Sequence, residues 1–135
     1  MKYKFNFENR EYELREDNLE YIYDEEIEEF HYETIMELLN NSDKVDFTLE
    51  YFDGRCDVCE AGKGEGRKHY DFLEYHFFIF TKNNKYVIST ISKDYEEGMY
   101  TDLHRKKAID NDFIVSIIIC KECGAWMVEI EQCDM

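Results

Sequence analysis

The sequence predicts a single domain of the α+β class, in which an antiparallel β-sheet is joined to an acidic helical segment. Three observations support this prediction. The chain has 135 residues, which is the size of one domain. Hydrophobic residues make up 44% of it and aromatic residues 16%, which is enough apolar material for a packed core. Apolar and polar residues alternate in residues 3–14 and 45–51, and this alternation is typical of half-buried strands.

The first 43 residues predict a β-hairpin followed by the acidic helical segment. Residues 1–15 alternate apolar and polar side chains on both sides of Asn9, the expected turn. Residues 16–43 contain eleven acidic residues and no lysine or arginine. One or two helices are expected there, beginning near Asp24 and ending before Asn41. The expected apolar face of these helices is imperfect and consists of Ile27, Phe30, Ile35, Leu38 and Leu39.

Residues 44–135 predict a β-rich core. Alternating or continuous apolar runs predict strands over 45–51, 69–82, 85–92, 113–119 and 125–130, and a short helix is expected near 102–109. The runs 77–80 and 113–119 are apolar on both sides, which is typical of central strands with both faces covered. The acidic helices are the expected cover on one face. No internal repeat or proline interrupts the pattern, so one domain over residues 1–135 is expected.

Two CxxC pairs lie at the ends of predicted strands. Cys56 and Cys59 follow one strand, Cys120 and Cys123 follow another, and 60 residues separate the pairs. Two thiolates from each tight turn complete the tetrahedron that zinc accepts. We therefore predict a structural four-cysteine site that holds zinc, with iron as the alternative ion because four thiolates suit iron too. The fifth cysteine, Cys133, lies about 30 Å of extended chain from Cys123, too far to ligate the same ion.

The second pair carries a resemblance to known metal sites. The run Ile119-Cys120-Lys121-Glu122-Cys123-Gly124-Ala125 resembles the knuckle of zinc-ribbon and rubredoxin-like proteins. The resemblance implies a metal site of zinc-ribbon type, with a tight turn in which Gly124 has a positive φ. The first pair departs from the pattern, since Glu60 stands where glycine is expected. The whole chain is also similar to small bacterial families of unknown function, and this similarity implies no activity.

The remaining motifs show no catalytic constellation. The four histidines lack the spacing of a catalytic zinc site, and His76 is expected to be a half-buried histidine with satisfied hydrogen bonds. Arg67, Lys68 and His69 belong to the most basic neighbourhood of the chain, beside the first CxxC pair. They balance the negative metal–thiolate centre or contact an anion. An enzyme or small-ligand binder with an anion pocket next to the knuckles is therefore the alternative to a non-catalytic protein.

The formal net charge of -16 is concentrated in the first 53 residues, which contain 17 acidic and 5 basic residues. Such a protein repels phosphate backbones, so direct binding to nucleic acid is not expected. Most of the acidic run is expected to be solvated surface. A face that binds a basic protein is the second interpretation, and a mimic of nucleic-acid phosphates is the third. The residues expected to form the partner face are Glu25, Glu26, Glu28 and Glu29.

The sequence also predicts a cytoplasmic location without membrane contact. No apolar stretch approaches the ~20 residues that span a bilayer. The first residues alternate polar and apolar side chains, whereas a signal peptide has a continuous apolar block. Paired CxxC motifs suit metal binding in a reducing compartment. We therefore expect a cytoplasmic, non-catalytic protein that interacts with another protein through its acidic surface.

Overall fold

The computed structural model describes residues 1–23, 27–52 and 70–133. Within these ranges the chain forms one α+β domain that consists mostly of β-structure. The strands are β1 (Tyr3–Phe7), β2 (Arg10–Leu14), β3 (Leu19–Tyr23), β4 (Thr48–Phe52), β5 (Tyr70–Lys82), β6 (Lys85–Ser89), β7 (Asn111–Cys120) and β8 (Trp126–Gln132). The helices in the described ranges are α1 (Tyr32–Asn41) and α2 (Met99–Arg105), and a 3-10 turn covers Glu16–Asn18.

The main sheet has the strand order β3-β8-β7-β5-β4, and β6 also pairs with β5. The outer edge of β5 is shared, because β4 pairs with residues 70–74 and β6 pairs with residues 79–82. β5, β7 and β8 are paired antiparallel, whereas β3 is parallel to β8. The prediction of a purely antiparallel sheet is therefore wrong at the β3 edge. The predicted hairpin near the start of the chain is confirmed, and β1 and β2 form a separate two-stranded sheet.

The acidic segment predicted to be helical over residues 16–43 is helical only in part. Residues 19–23 form β3, because this tyrosine- and isoleucine-containing stretch suits a pleated surface and β8 offers it a free edge. Ile27 and Phe30 are buried as expected, but they precede α1. The buried face of α1 has the spacing of one helical stripe and consists of Tyr32, Ile35, Met36 and Leu39. No helix in the described ranges is long and apolar enough to span a membrane.

Both predicted hairpin turns contain left-handed backbone. Glu8 and Asn9 have φ values of 50° and 65°, and Asn83 and Asn84 have φ values of 51° and 66°. Two consecutive residues with positive φ are typical of type I′ turns, whose twist matches the twist of the paired strands. Asparagine tolerates this region better than most residues. The turns predicted from asparagine residues, near Asn9 and at Asn83–Asn84, are therefore confirmed.

The main sheet has one covered face and one partly open face. The covered face packs against α1 and the β1–β2 hairpin, and Phe77, Ile117 and Trp126 are almost fully buried there. We call the opposite surface of β4, β5, β7 and β8 the open face. At one end of it, α2 packs against Phe80, and at the other end Cys120 is buried in a small apolar cluster. Solvent reaches the open face between these ends.

Candidate metal centre

Residues 120–124 form the tight turn between β7 and β8. The amide of Cys120 donates to the carbonyl of Ala125 at 2.9 Å, and the amide of Gly124 donates to the carbonyl of Cys120 at 2.9 Å. Gly124 has a φ of 81°, which confirms the positive φ expected at this position. The amide of Ala125 donates to Sγ of Cys123 at 3.5 Å. A hydrogen bond from an amide to sulfur favours the charged thiolate over the neutral thiol.

The β1–β2 hairpin holds this turn from one side. Arg10 donates to the carbonyl of Lys121 and, at 2.9 Å, to the carbonyl of Glu122. The hydroxyl of Tyr12 also donates to the carbonyl of Lys121, at 3.0 Å, and the Arg10 guanidinium lies 4.8 Å above the Tyr12 ring. The Lys121 ammonium lies 3.1 Å from the Glu8 carboxylate. The start of the chain therefore fixes the backbone of the second CxxC turn.

Trp126 anchors the other side of the turn. Its side chain is fully buried, and its Nε1 donates to the carbonyl of Arg15 at 2.9 Å and to Oδ1 of Asn18 at 2.8 Å. The amide group of Asn18 in turn donates to the carbonyl of Glu13 at 2.8 Å. These bonds join the first residue of β8 to the connection between β2 and β3. The turn is thus held between two segments from the first 20 residues.

The first CxxC pair follows a strand that ends at the same end of the sheet. Phe52, the last residue of β4, pairs with Tyr70, and Cys120 pairs with Phe72 two residues further along β5. β4 and β7 are both antiparallel to β5, so they run in the same direction, and their ends are about 12 Å apart, two strand spacings across the sheet and two residues along it. Cys56 follows Phe52 by four residues, which extend up to about 14 Å. The chain length therefore permits Cys56 to reach the second turn.

Several predicted site residues lie outside the described residues. They are Cys56, Cys59, Arg67, Lys68, His69, Glu25 and Glu26. Within the described ranges, no group of three or more His, Cys, Asp or Glu side chains is arranged to hold a metal ion. Cys120 and Cys123 are thus the described half of the predicted site. The four-cysteine site stays a prediction.

Glu28 and Glu29, from the predicted partner face, are exposed but do not lie on a helix. Glu28 forms a bridge with the β5–β6 hairpin: its amide donates to the carbonyl of Asn84 at 2.9 Å, and the amide of Tyr86 donates to its carbonyl at 2.9 Å. The Glu29 carboxylate lies 3.4 Å from the Lys85 ammonium. The prediction of a helical acidic face is therefore wrong at these two positions. Their side chains remain accessible to a partner.

A row of three hydrogen-bonded side chains, Glu74, His76 and Ser116, lies on the open face and was not predicted from the sequence. Nδ1 of His76 lies 2.8 Å from Oγ of Ser116, and its Nε2 lies 3.1 Å from Oε1 of Glu74. Glu74 and His76 share a face because side chains two residues apart in a strand point the same way. Ser116 is opposite His76 only because of the β5–β7 register, which the sequence pattern does not specify.

Ser116, His76 and Glu74 have the order of a nucleophile, a base and a carboxylate in acyl-transfer enzymes. Their position in the sheet does not support acyl transfer. Ser116 lies in β7, which is paired on both sides by β5 and β8. Backbone amides next to Ser116 are therefore used within the sheet, whereas an oxyanion needs amides that are free to donate. The expectation that His76 has satisfied hydrogen bonds is confirmed, although its side chain is 46% exposed.

A model of one protein family matches residues 3–135, and its description is "Protein of unknown function (DUF3785)". The chain belongs to this family. The match spans nearly the whole chain, so both CxxC pairs and the open face lie within it. No curated protein and no solved structure matches the chain. The predicted similarity to a family of unknown function is thus confirmed, and the family name assigns no activity.

Replacing Glu74 with glutamine is expected to stabilise the protein at neutral pH. Burial raises the pKa of the Glu74 carboxyl, His76 opposes this rise, and the carboxylates of Glu50 and Glu129 add to it. A carboxyl whose pKa is higher in the folded than in the unfolded state stabilises the folded protein at low pH. This contribution is lost as the pH rises through the pKa of the folded state. The glutamine variant should therefore gain up to about 0.5 kcal/mol at neutral pH, and the gain should shrink as the pH falls.

Urea denaturation at about pH 8 and about pH 5.5 measures this difference. Glu37→Gln is the matched control, because Glu37 is exposed on α1, away from the open face. The control should show no pH-dependent gain. A Glu74→Gln variant that is less stable than the parent at about pH 8 would show that the contact between the Glu74 carboxylate and His76 outweighs the cost of burying the carboxylate.

Proposed function

We propose that this chain is a non-catalytic zinc protein in which Cys56, Cys59, Cys120 and Cys123 hold one structural ion. The observation that carries the proposal is the turn at Cys120–Gly124, in which the Ala125 amide is aimed at Sγ of Cys123. Amide donors favour the thiolate, and the thiolate is the form of cysteine that binds metal. The donor set is therefore suited to zinc, with iron as the alternative ion.

The structural role follows from the chemistry of a four-thiolate site. Four protein ligands complete a tetrahedron around zinc and leave no position for a substrate or an activated water. The sheet geometry supports the pairing, because β4 and β7 end at the same end of the sheet. An ion at that end joins the segment that follows β4 to the β7–β8 turn. We infer that the ion stabilises the β-rich core and performs no chemistry.

Arg10→Met is expected to weaken zinc binding by roughly tenfold, the scale found for groups that support metal ligands. The substitution keeps much of the length of the side chain but removes its hydrogen bonds to the carbonyls of Lys121 and Glu122. Lys4→Met is the control, because Lys4 is an exposed residue of the same hairpin whose ammonium lies 3.7 Å from the Glu11 carboxylate. Competition with a coloured chelator measures both affinities. Equal affinities for the two variants would contradict the supporting role of Arg10.

Metal analysis of protein purified without added metal tests the proposal. We expect about one zinc per chain, and a chelator should lower the melting temperature. If the ion were iron, the protein would absorb visible light. The proposal would then change in the identity of the ion but not in its four cysteine ligands. A metal-free protein that melts at the same temperature with and without chelator would refute the proposal.

We further propose that the protein acts in the cytoplasm as an interaction module that binds a basic protein. The net charge of -16 and the exposed side chains of Glu28 and Glu29 support this role. A cleft of about 320 Å³ lies beside Cys123, but its lining includes Glu11 and Glu13 as well as Arg10 and Arg15. This mixed charge does not favour anion binding in this cleft, and the residues of the alternative anion pocket, Arg67, Lys68 and His69, lie outside the described residues.

A charge-reversal experiment tests the interaction role. Immobilised protein should retain a basic protein from lysate at low salt and release it at high salt, because exposed charges are screened. Glu28→Lys/Glu29→Lys should reduce retention more than Glu33→Lys/Glu37→Lys, which changes the same charge on α1. Absence of any salt-sensitive partner would contradict the interaction role, and a partner that is a nucleic-acid-binding protein would favour the mimic of nucleic acid.

A further inference from the structure

We infer that the open face is a docking site for a cationic segment of another protein, with lysine or arginine side chains seated between Glu74 and Glu129. This inference rests on the proposed interaction role and deepens it. It adds a second contact surface, on the sheet, to the loop that contains Glu28 and Glu29. Three properties of the face support it: its charge, its apolar border and its ordered polar centre.

The charge of the open face has one sign. Between the two covered ends, the described open-face positions of β4, β5, β7 and β8 carry no lysine or arginine. The acidic residues at these positions are Glu50, Glu74, Glu129 and Glu131. Glu50 and Glu129 lie close enough to Glu74 to disfavour its charged form. A cation placed among these carboxylates would relieve their mutual repulsion.

Apolar side chains border the acidic centre. Phe78 is 39% exposed and follows His76 on the same face of β5, and Tyr21 is 45% exposed. The hydroxyl of Tyr21 contacts Sδ of Met127 at 3.1 Å, which places Tyr21 beside the open-face side of β8. Exposed aromatic rings attract lysine and arginine through their faces, and the aliphatic stems of those residues cover apolar surface. The border therefore suits the same partner chemistry as the centre.

The centre of the face is already ordered. His76 is held at 2.8 Å from Ser116 and at 3.1 Å from Glu74, and all three residues belong to central strands of the sheet. An ordered surface loses little conformational entropy when a partner binds. A second copy of this chain would bring the same acidic surface to the contact, so self-association through the open face is electrostatically disfavoured. A basic segment is the occupant that the charges favour.

Binding of a short synthetic peptide that alternates arginine with alanine tests this inference. Glu74→Gln/Glu129→Gln should lower its affinity by about tenfold, the effect of losing two ion pairs at partly buried carboxylates. Glu33→Gln/Glu37→Gln removes the same charge from α1, on the other side of the sheet, and should change the affinity less than about twofold. Amide chemical shifts should change on peptide addition in β5, β7 and β8 and should stay constant in α1.

Three results would overturn the inference. Equal losses in the two variants would show that the peptide responds only to total charge. Shift changes centred on Glu28 and Glu29 would leave the proposed interaction role intact but remove the open face from it. A dimer that the Glu74→Gln/Glu129→Gln variant dissociates would assign the face to a second copy of the chain. Zinc content, measured on the same samples, should equal that of the parent, which separates loss of docking from loss of the metal site.

Discussion

Replacing Cys120 with serine is expected to remove the zinc ion and unfold the β-rich core. The Cys120 side chain is 3% exposed and packs with Phe72 and Ile118 at the knuckle end of the sheet. Structural zinc supplies an apparent free energy of about 10–16 kcal/mol in small domains, which is as large as the whole stability of a typical protein. Metal content and thermal unfolding followed by circular dichroism measure the two effects together.

Cys133→Ser is the matched control, because it removes a thiol from the same chain without touching a predicted ligand. Cys133 is partly exposed just beyond β8, and its amide donates to the carbonyl of Asp112 at 3.0 Å, a backbone bond that serine preserves. This variant should keep its zinc and its melting temperature. If Cys120→Ser kept one zinc per chain and melted like Cys133→Ser, the ion would have other ligands.

Replacing Trp126 with alanine is expected to lower the free energy of unfolding by about 3–5 kcal/mol. Trp126 is the largest fully buried side chain in the described ranges, and it packs in the main core next to the second CxxC turn. Trp126→Phe should cost less, about 1–3 kcal/mol beyond the change in packing, because the carbonyl of Arg15 loses the indole donor, whereas Oδ1 of Asn18 keeps the amide of Arg15 as a donor. Urea denaturation of both variants measures the difference.

Val87→Ala is the control for this series, since Val87 is 43% exposed on β6 and should change stability by less than about 0.5 kcal/mol. A Trp126→Phe variant as stable as the parent would show that the two hydrogen bonds contribute nothing. A variant that lost zinc while remaining folded would show that Trp126 acts on the turn more than on the core.

The sequence pattern predicted the strands that alternate apolar and polar residues or are continuously apolar. β5, β6, β7 and β8 lie close to their predicted ranges, and the turn at Asn83–Asn84 was placed correctly. These elements could be predicted because their signals are local: side-chain periodicity and a turn that favours asparagine.

The pattern failed where an element depends on a distant strand. Residues 19–23 lie in a segment dominated by acidic residues, which resembles the surface of a helix more than a strand. They form β3 because the free edge of β8, more than 100 residues later, accepts their backbone hydrogen bonds. That pairing is a tertiary property. Single-sequence periodicity contains no signal for it.

At the candidate metal centre too, the sequence predicted the local features but not the contacts between distant residues. The spacing of Cys120 and Cys123 and the position of Gly124 predicted the local turn, and the φ of Gly124 confirms it. The contacts of Arg10 and Tyr12 with the carbonyls of this turn were not predicted. They join residues more than 100 positions apart, and neither side chain belongs to a recognisable motif.

X-ray absorption at the zinc edge of the purified protein tests the central claim most directly. Four cysteine ligands predict a single shell of four sulfur atoms at about 2.3 Å from zinc. The same measurement on Cys59→Ser, which removes a ligand of the first pair, should lose this shell. A shell that contains nitrogen or oxygen in the parent protein, or four sulfurs that persist in the variant, would contradict a site shared by the two CxxC pairs.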